Sequence, residues 1–175
     1  MDTDLRYENG QQTRSFETVF DFSSTQGLLR MAEKCNGTAV CRKSHLMGGT
    51  MCPSYMATRD ESNTTRARAN QLREWLTRSD KANPFDQAEL KDVMDLCLSC
   101  KACRSECPSN VDMARMKAEF LQHYYDANGV PFRAWVFSHY ARIQSLLSHL
   151  SPTIVNGVWR IGWMSKLIKR VIGVD

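Results

Sequence analysis

The run Cys97-x2-Cys100-x2-Cys103-x3-Cys107-Pro108 restricts this chain more than any other feature. Three thiols at i, i+3 and i+6 wrap one corner of a cubane, and the fourth is turned away by its proline toward a second cluster. This is a spacing by which proteins hold iron–sulfur clusters. Upstream lies an imperfect copy, Cys35-x5-Cys41-x10-Cys52-Pro53. The two runs account for all seven cysteines. Two Cys–Pro elements predict two clusters and an electron-carrying role.

With the usual crossover, Cys97, Cys100 and Cys103 combine with Cys52 into a four-thiolate set, which implies a 4Fe–4S cluster. The other set is Cys35, Cys41 and Cys107. Thr38 stands where a complete motif has its second cysteine. Three thiolates hold a 3Fe–4S cluster, or a 4Fe–4S cluster whose fourth iron takes a non-cysteine ligand. A threonine hydroxyl is a poor iron ligand, which leaves water or the His45 imidazole, although a plain loop histidine is the simpler reading of His45. Two electrochemically distinct centres follow. Zinc sites instead pair CxxC or CxxC/HxxxH elements, four ligands to a metal. Buried structural cysteines have no reason to adopt this spacing.

The 175 residues suffice for one domain with an appendage, read as a two-cluster domain over residues 1–130 and a basic amphipathic segment over 131–175. Residues 1–9 are polar and acidic with no apolar h-region, so no export signal opens the chain and reduced thiols are expected. The expected location is cytoplasmic. Charge is uneven. Residues 131–175 carry Arg133, Arg142, Arg160, Lys166, Lys169 and Arg170 against Asp175 alone, and the rest is close to neutral. A near-neutral cysteine-bearing part gives nucleic-acid binding no support.

Helical periodicity recurs along the chain, and no strand-like alternation runs long enough for a sheet. A first helix is predicted from a Ser23 or Ser24 cap through Leu28, Leu29 and Ala32, delivering Cys35 at its end. Residues 36–63 read as a cluster-wrapping loop. Thr64 or Thr65 caps a second helix with Ala69, Leu72, Trp75 and Leu76 on one face, broken by Asn83-Pro84. Asp86 and Glu89 resemble a capping box ahead of Leu90, Val93, Met94 and Cys97. After Pro108 a helix turns Met113, Met116, Phe120, Leu121 and Tyr124 inward and stops at Asn128-Gly129. Two amphipathic segments follow, 132–149 and 153–172. In the last, Ile154, Val158, Ile161, Met164, Ile168 and Val171 form one stripe. It is too charged to span a membrane. Docking against further domains is the plainer use, with an interfacial helix on the inner membrane as the alternative. The fold class is all-α, with cysteines in the loops between helices.

The stretches CNGTAVCRKSHLMGGTMCPSYMATRDESNTTRARANQLREWL and DLCLSCKACRSECPSNVDMARMKAEFLQHYY carry a resemblance. They are similar to the iron–sulfur region of FAD-linked oxidases, the FAD-binding and (Fe–S)-binding D-2-hydroxyacid dehydrogenases of the D-lactate, glycolate and 2-hydroxyglutarate type. The likeness covers roughly residues 15–175, with Met-Cys-Pro-Ser-Tyr and Thr-Arg-x-Arg-Ala as its most distinctive parts. It implies a helical-ferredoxin fold. It also implies an FAD-binding oxidase domain or subunit as partner, which holds the FAD, and a downstream cysteine-rich domain. Neither is expected within this sequence, which looks like a fragment or a split-gene subunit. The implied role is an electron relay from the flavin to a quinone or other acceptor protein, with no catalytic acid, base or nucleophile on this chain. The alternative is a stand-alone iron–sulfur subunit of the heterodisulfide reductase C, succinate dehydrogenase or anaerobic glycerol-3-phosphate dehydrogenase type. Arg66, Arg68, Lys101 and Arg104 beside the motifs offset cluster charge, steer an acidic partner, or are simply solvated.

Overall fold

The computed structural model describes residues 13–173, apart from the side chains of Ile154, Val155 and Val158. It is all-helical, with no strand among the described residues. The chain divides into two units between Ala127 and Asn128.

The first unit is built around a 14-residue helix. Its neighbours in chain order are α1 (Leu28–Glu33), α2 (Pro53–Thr58), the central α3 (Thr65–Arg78), α4 (Ala88–Asp95), α5 (Ala102–Glu106) and α6 (Met113–Asn128). Thr64 caps α3, its hydroxyl accepting the Ala67 N–H at 2.9 Å. Such a cap contributes about 1 kcal/mol. Ala69, Leu72 and Leu76 are fully buried on the face that the sequence assigns to the core. That face packs against α1 and α4. Leu28, Leu29, Leu90, Met94, Met113, Met116 and Phe120 complete the core. Each buried Leu, Met or Phe side chain stabilises the fold by roughly 1.5–3 kcal/mol relative to exposure.

Four local expectations differ from the structure. Ser23–Thr25 forms only a 3-10 turn, because Gln26 (φ 60°) and Gly27 (φ 119°) enter the left-handed region and interrupt the helix before Leu28. The expected loop over 36–63 contains α2, opened by Pro53 at its first position, where a missing N–H costs nothing. The capping box does not form; Gln87 precedes α4 and makes no side-chain cap. The two long C-terminal segments each split.

In the second unit these are α7 (Phe132–Ser138), α8 (Tyr140–Leu147), α9 (Pro152–Arg160) and α10 (Gly162–Ile172). His139 and Ile161 mark the breaks. Helix α10 packs against α7 and α9. Ile154 and Val158, two members of the expected stripe, have side chains outside the described residues. Of the rest, Val171 and Ile161 are exposed, while Met164 and Ile168 are half-buried. Trp163, Leu167 and Val171 instead form an exposed row at helical spacing on α10. No helix of the described chain is long and apolar enough to cross a membrane.

Candidate functional site

All seven cysteines lie in the first unit, in loops and at helix ends. Cys35 follows α1, Cys52 precedes α2, Cys97 and Cys100 sit between α4 and α5, Cys103 is within α5, and Cys107 caps it. Two recesses gather them. The first is lined by Cys52, Cys97, Cys100 and Cys103, together with Thr65, Arg68 and Met113. The second is lined by Cys35, Cys41 and Cys107, with Thr38, Thr65 and Met51. Their empty volumes, solvent-open space included, are similar, about 310 and 260 Å³. Thr65 lines both, so the recesses abut at the start of α3. His45 lines neither; its Nδ1 lies 3.2 Å from the Arg59 guanidinium on the surface.

Free N–H groups at helix starts point at the thiols. The Thr65 N–H donates to Cys52 Sγ at 3.1 Å, and the Thr65 hydroxyl lies 2.9 Å from the same sulfur. The Arg66 N–H, one residue on, serves Cys41. Met113 and Ala114, opening α6, present their N–H groups to Cys103. The first N–H groups of a helix have no partner within it and carry partial positive charge, so both features favour a thiolate there. Cys41 is lowered to about 6, mainly because the Cys52 thiol donates to it, with the Arg66 N–H assisting. Cys52 is correspondingly pushed up, by that same bond and by burial. Burial also raises Cys103 against the N–H groups of α6.

The loops reach this geometry through unfavourable backbone. Ala39, Cys52, Ser99 and Lys101 all have φ between 52° and 62°. For a non-glycine residue this conformation costs roughly 1–2 kcal/mol. It occurs here where the chain curls round the recesses, which all four residues line.

A guanidinium lines each recess, buried at the first and partly exposed at the second. Arg68 is 1% exposed. Its Nε donates to Val93 O at 2.8 Å, and its terminal nitrogens reach Asn63 O at 2.7 Å, Asn63 Oδ1 at 3.2 Å and Ser54 Oγ at 3.2 Å. Arg66 instead pairs with the Glu61 carboxylate at 2.6 and 2.9 Å. The two distinctive stretches therefore meet in space: Thr65 bonds Cys52, and Arg68 bonds Ser54. Lys117, half-buried on α6, donates to the Cys97 carbonyl at 2.7 Å and holds the loop after α4.

Glu106, next to Cys107, clamps the loop before Cys52. It accepts the N–H groups of Thr50 (2.7 Å) and Met51 (3.3 Å) and pairs with Lys43. Gly49 (φ 76°) passes so close that a Cβ there meets both Lys43 Nζ and Glu106 Oε2. The Lys43 ammonium and the Thr50 N–H hold Glu106 down at about 2. Folding favours the carboxylate, so the clamp is complete above the ordinary value of 4.5 and lost as pH falls toward 2. Glu106→Gln should therefore speed amide exchange at Thr50 and Met51 at neutral pH. Wild type should loosen there only in acid, and equal protection in both proteins at pH 7 would contradict the clamp.

The residues suit iron–sulfur clusters: soft thiols line each recess, N–H donors face the sulfurs, and a buried cation stands beside them. Among the described residues, no three His, Cys, Asp or Glu side chains meet tightly enough to hold a single metal ion. Cluster ligands need not meet, since each thiolate binds a different iron.

Comparison with known proteins agrees with this chemistry. Residues 34–112 match the family described as "4Fe-4S dicluster domain". The chain is 26% identical to D-2-hydroxyglutarate dehydrogenase of Pseudomonas putida over 82% of its own length and 17% of the relative's. The corresponding protein of Pantoea ananatis is 25% identical over 83% of this chain and 17% of its own. That of Escherichia coli K12 is 28% identical over 59% and 14%. The chain thus spans about a sixth of the length of these relatives. No solved structure gives a significant match. Residues 34–112 thus match a 4Fe-4S dicluster domain, and the chain that carries them is similar to an iron–sulfur region of D-2-hydroxyglutarate dehydrogenases.

Proposed function

We propose that this chain relays electrons for an FAD-linked D-2-hydroxyacid dehydrogenase, receiving them from the flavin and passing them to a quinone or another acceptor. The grouping of cysteines from both runs around each of two abutting recesses carries the reading. Cys52, Cys97, Cys100 and Cys103 hold a 4Fe–4S cluster. Cys35, Cys41 and Cys107 hold a second, three-thiolate cluster. Bound clusters supply one-electron carriers, so the two electrons of a 2-hydroxy acid leave a flavin one at a time.

The chain's own groups do the rest. The start of α3 donates N–H groups to Cys52 and Cys41, stabilising negative charge on both sets. Thr65 is the partition between the two carriers. Cys100 is the exposed thiol, flanked by exposed Leu96 and Leu98, so it marks where electrons cross to a partner. The names of the relatives support a D-2-hydroxyglutarate-type donor.

Stopped-flow mixing tests the relay. Anaerobically prepared chain, combined with the flavin domain of such a dehydrogenase and D-2-hydroxyglutarate, should bleach in the visible. Cluster-loaded chain that stays oxidised would refute the relay. The second set makes its own prediction. Oxidised protein should show the EPR signal of a 3Fe–4S centre beside an EPR-silent 4Fe–4S cluster. Two reducible 4Fe–4S signals without a 3Fe signal would instead assign the fourth iron a non-cysteine ligand.

A further inference from the structure

Arg68 is a buried cation whose observed hydrogen-bond partners are all neutral. Its acceptors are two backbone carbonyls, one amide oxygen and one hydroxyl, and among the described residues no carboxylate pairs with it. A charge removed from water without a counter-charge is expensive, and natural proteins bury one only where something compensates. The neighbouring Arg66 shows the ordinary solution, a carboxylate partner: Glu61 Oε1 accepts from two of its nitrogens. Arg68 has instead the recess itself. It lines that recess beside Cys52, Cys97, Cys100 and Cys103. The charged neighbours it feels are sulfurs, Cys97 first, then Cys52, Cys103 and Cys41.

Its placement is fixed from three sides. Val93 comes from α4, Ser54 from α2, and Asn63 from the turn before α3. Asn63 is itself buried and tied to Thr58 by a 3.0 Å bond. The guanidinium cannot swing out to water without breaking all of these bonds. A rigid side chain of this kind sets a constant field at the recess, where low dielectric strengthens it.

We infer that Arg68 is the built-in counter-ion of the cluster held by Cys52, Cys97, Cys100 and Cys103, and that it raises that cluster's reduction potential above that of the same thiolate set without it. This rests on the iron–sulfur reading above. Adding an electron makes a thiolate-bound cluster more negative, so a fixed positive charge beside it favours the reduced form. The second recess has Arg66, which is partly open to solvent and shares the Glu61 carboxylate with Arg42, so its charge is screened and its cluster gains less. The arrangement separates the two carriers in potential by a charge as well as by thiolate count. The cluster beside Arg68 becomes the better electron acceptor than its thiolates alone would make it.

The test is an EPR-monitored redox titration of both clusters in the full chain, for wild type, Arg68→Gln and Arg68→Lys. Iron and sulfide analysis of wild type comes first: a chain without clusters sinks the underlying reading, whereas a loaded chain leaves only Arg68 in question. Gln keeps polar atoms and loses the charge; Lys keeps the charge and loses the fork. Arg68→Gln should cut the reduced-to-oxidised ratio of the four-thiolate cluster at least about tenfold at fixed ambient potential, about 59 mV for a one-electron couple. Arg68→Lys should stay near wild type, and the second cluster should move less in both. If Gln costs the cluster altogether, Lys should restore it. An unchanged potential in Arg68→Gln, equal shifts in the two variants, or loss of the cluster in both would overturn the inference.

Discussion

Cys52→Ala should damage one cluster and spare the other. Its thiol lies in the first recess with Cys97, Cys100 and Cys103, although its sequence neighbours are the cysteines of the other run. Three thiolates from the later run cannot complete a four-thiolate 4Fe–4S set, so that site should lose at least its fourth iron, and its 4Fe–4S signature with it. The three-thiolate centre of Cys35, Cys41 and Cys107 should keep its EPR signal. The variant tests more than iron count. Cys52 also donates to Cys41, and the two recesses share Thr65. Without that donor the Cys41 thiol of cluster-free protein should titrate higher than about 6, visible in the pH dependence of its alkylation. Loss of the Cys35/Cys41 centre with survival of the other would overturn the assignment of Cys52.

Glu119→Ala should cost about 2–3 kcal/mol of stability without touching a thiol. Glu119 is fully buried on α6. Its two oxygens accept the N–H groups of Val19 at 2.8 Å and Phe20 at 3.0 Å, and one lies 3.1 Å from His123 Nε2. Hydrogen bonds to a charged group are worth about 1.5–3 kcal/mol each, and partial access of water to Val19 and Phe20 returns some of that. His123 is stacked on Phe85 at 4.2 Å, and Phe16 meets the edge of Phe85 at 5.4 Å. One carboxylate therefore straps the residues before α1 onto α6. Thermal melting of reduced, cluster-free chain should fall by roughly 5–10 °C. Glu119→Gln keeps an acceptor oxygen and should lose less. A melting point unchanged in Glu119→Ala would show that the strap adds nothing.

Much of this fold is legible in the sequence, for identifiable reasons. Helix α3 has a hydroxyl cap, a regular apolar stripe and no internal breaker, so local and tertiary preferences agree. The helix after Pro108 is legible on the same grounds. Helix α2 hides inside a segment rich in Gly, Ser, Thr and Asn, and only Pro53 at its first position signals it. Asp86 fails as a cap because the turn from Asn83 commits the backbone differently: Phe85 N bonds Asn83 Oδ1, and the Gln87 N–H goes to the Phe85 carbonyl. Gly27 could be recognised as a break only once Gln26 beside it also turned left-handed.

The candidate site divides in the same way. Thiol spacing along the chain states which cysteines belong to one run, and the missing cysteine at Thr38 is plain to see. Burial of charge is not legible, because it depends on partners distant in sequence. Glu119 and Val19 are 100 residues apart, and Arg68 reaches Val93 across 25. Nothing local distinguishes Arg66, which has a carboxylate, from Arg68, which has none among the described residues. The left-handed backbone at Cys52, Ser99 and Lys101 is equally silent, since none is a residue that favours it.

The central claim is that this chain holds two iron–sulfur clusters on unequal thiolate sets. Iron and acid-labile sulfide, counted per chain after anaerobic purification, test it most directly. The account predicts about seven to eight iron atoms with about eight sulfides, the lower iron count corresponding to a three-iron second centre. Bound zinc with no acid-labile sulfide would contradict it.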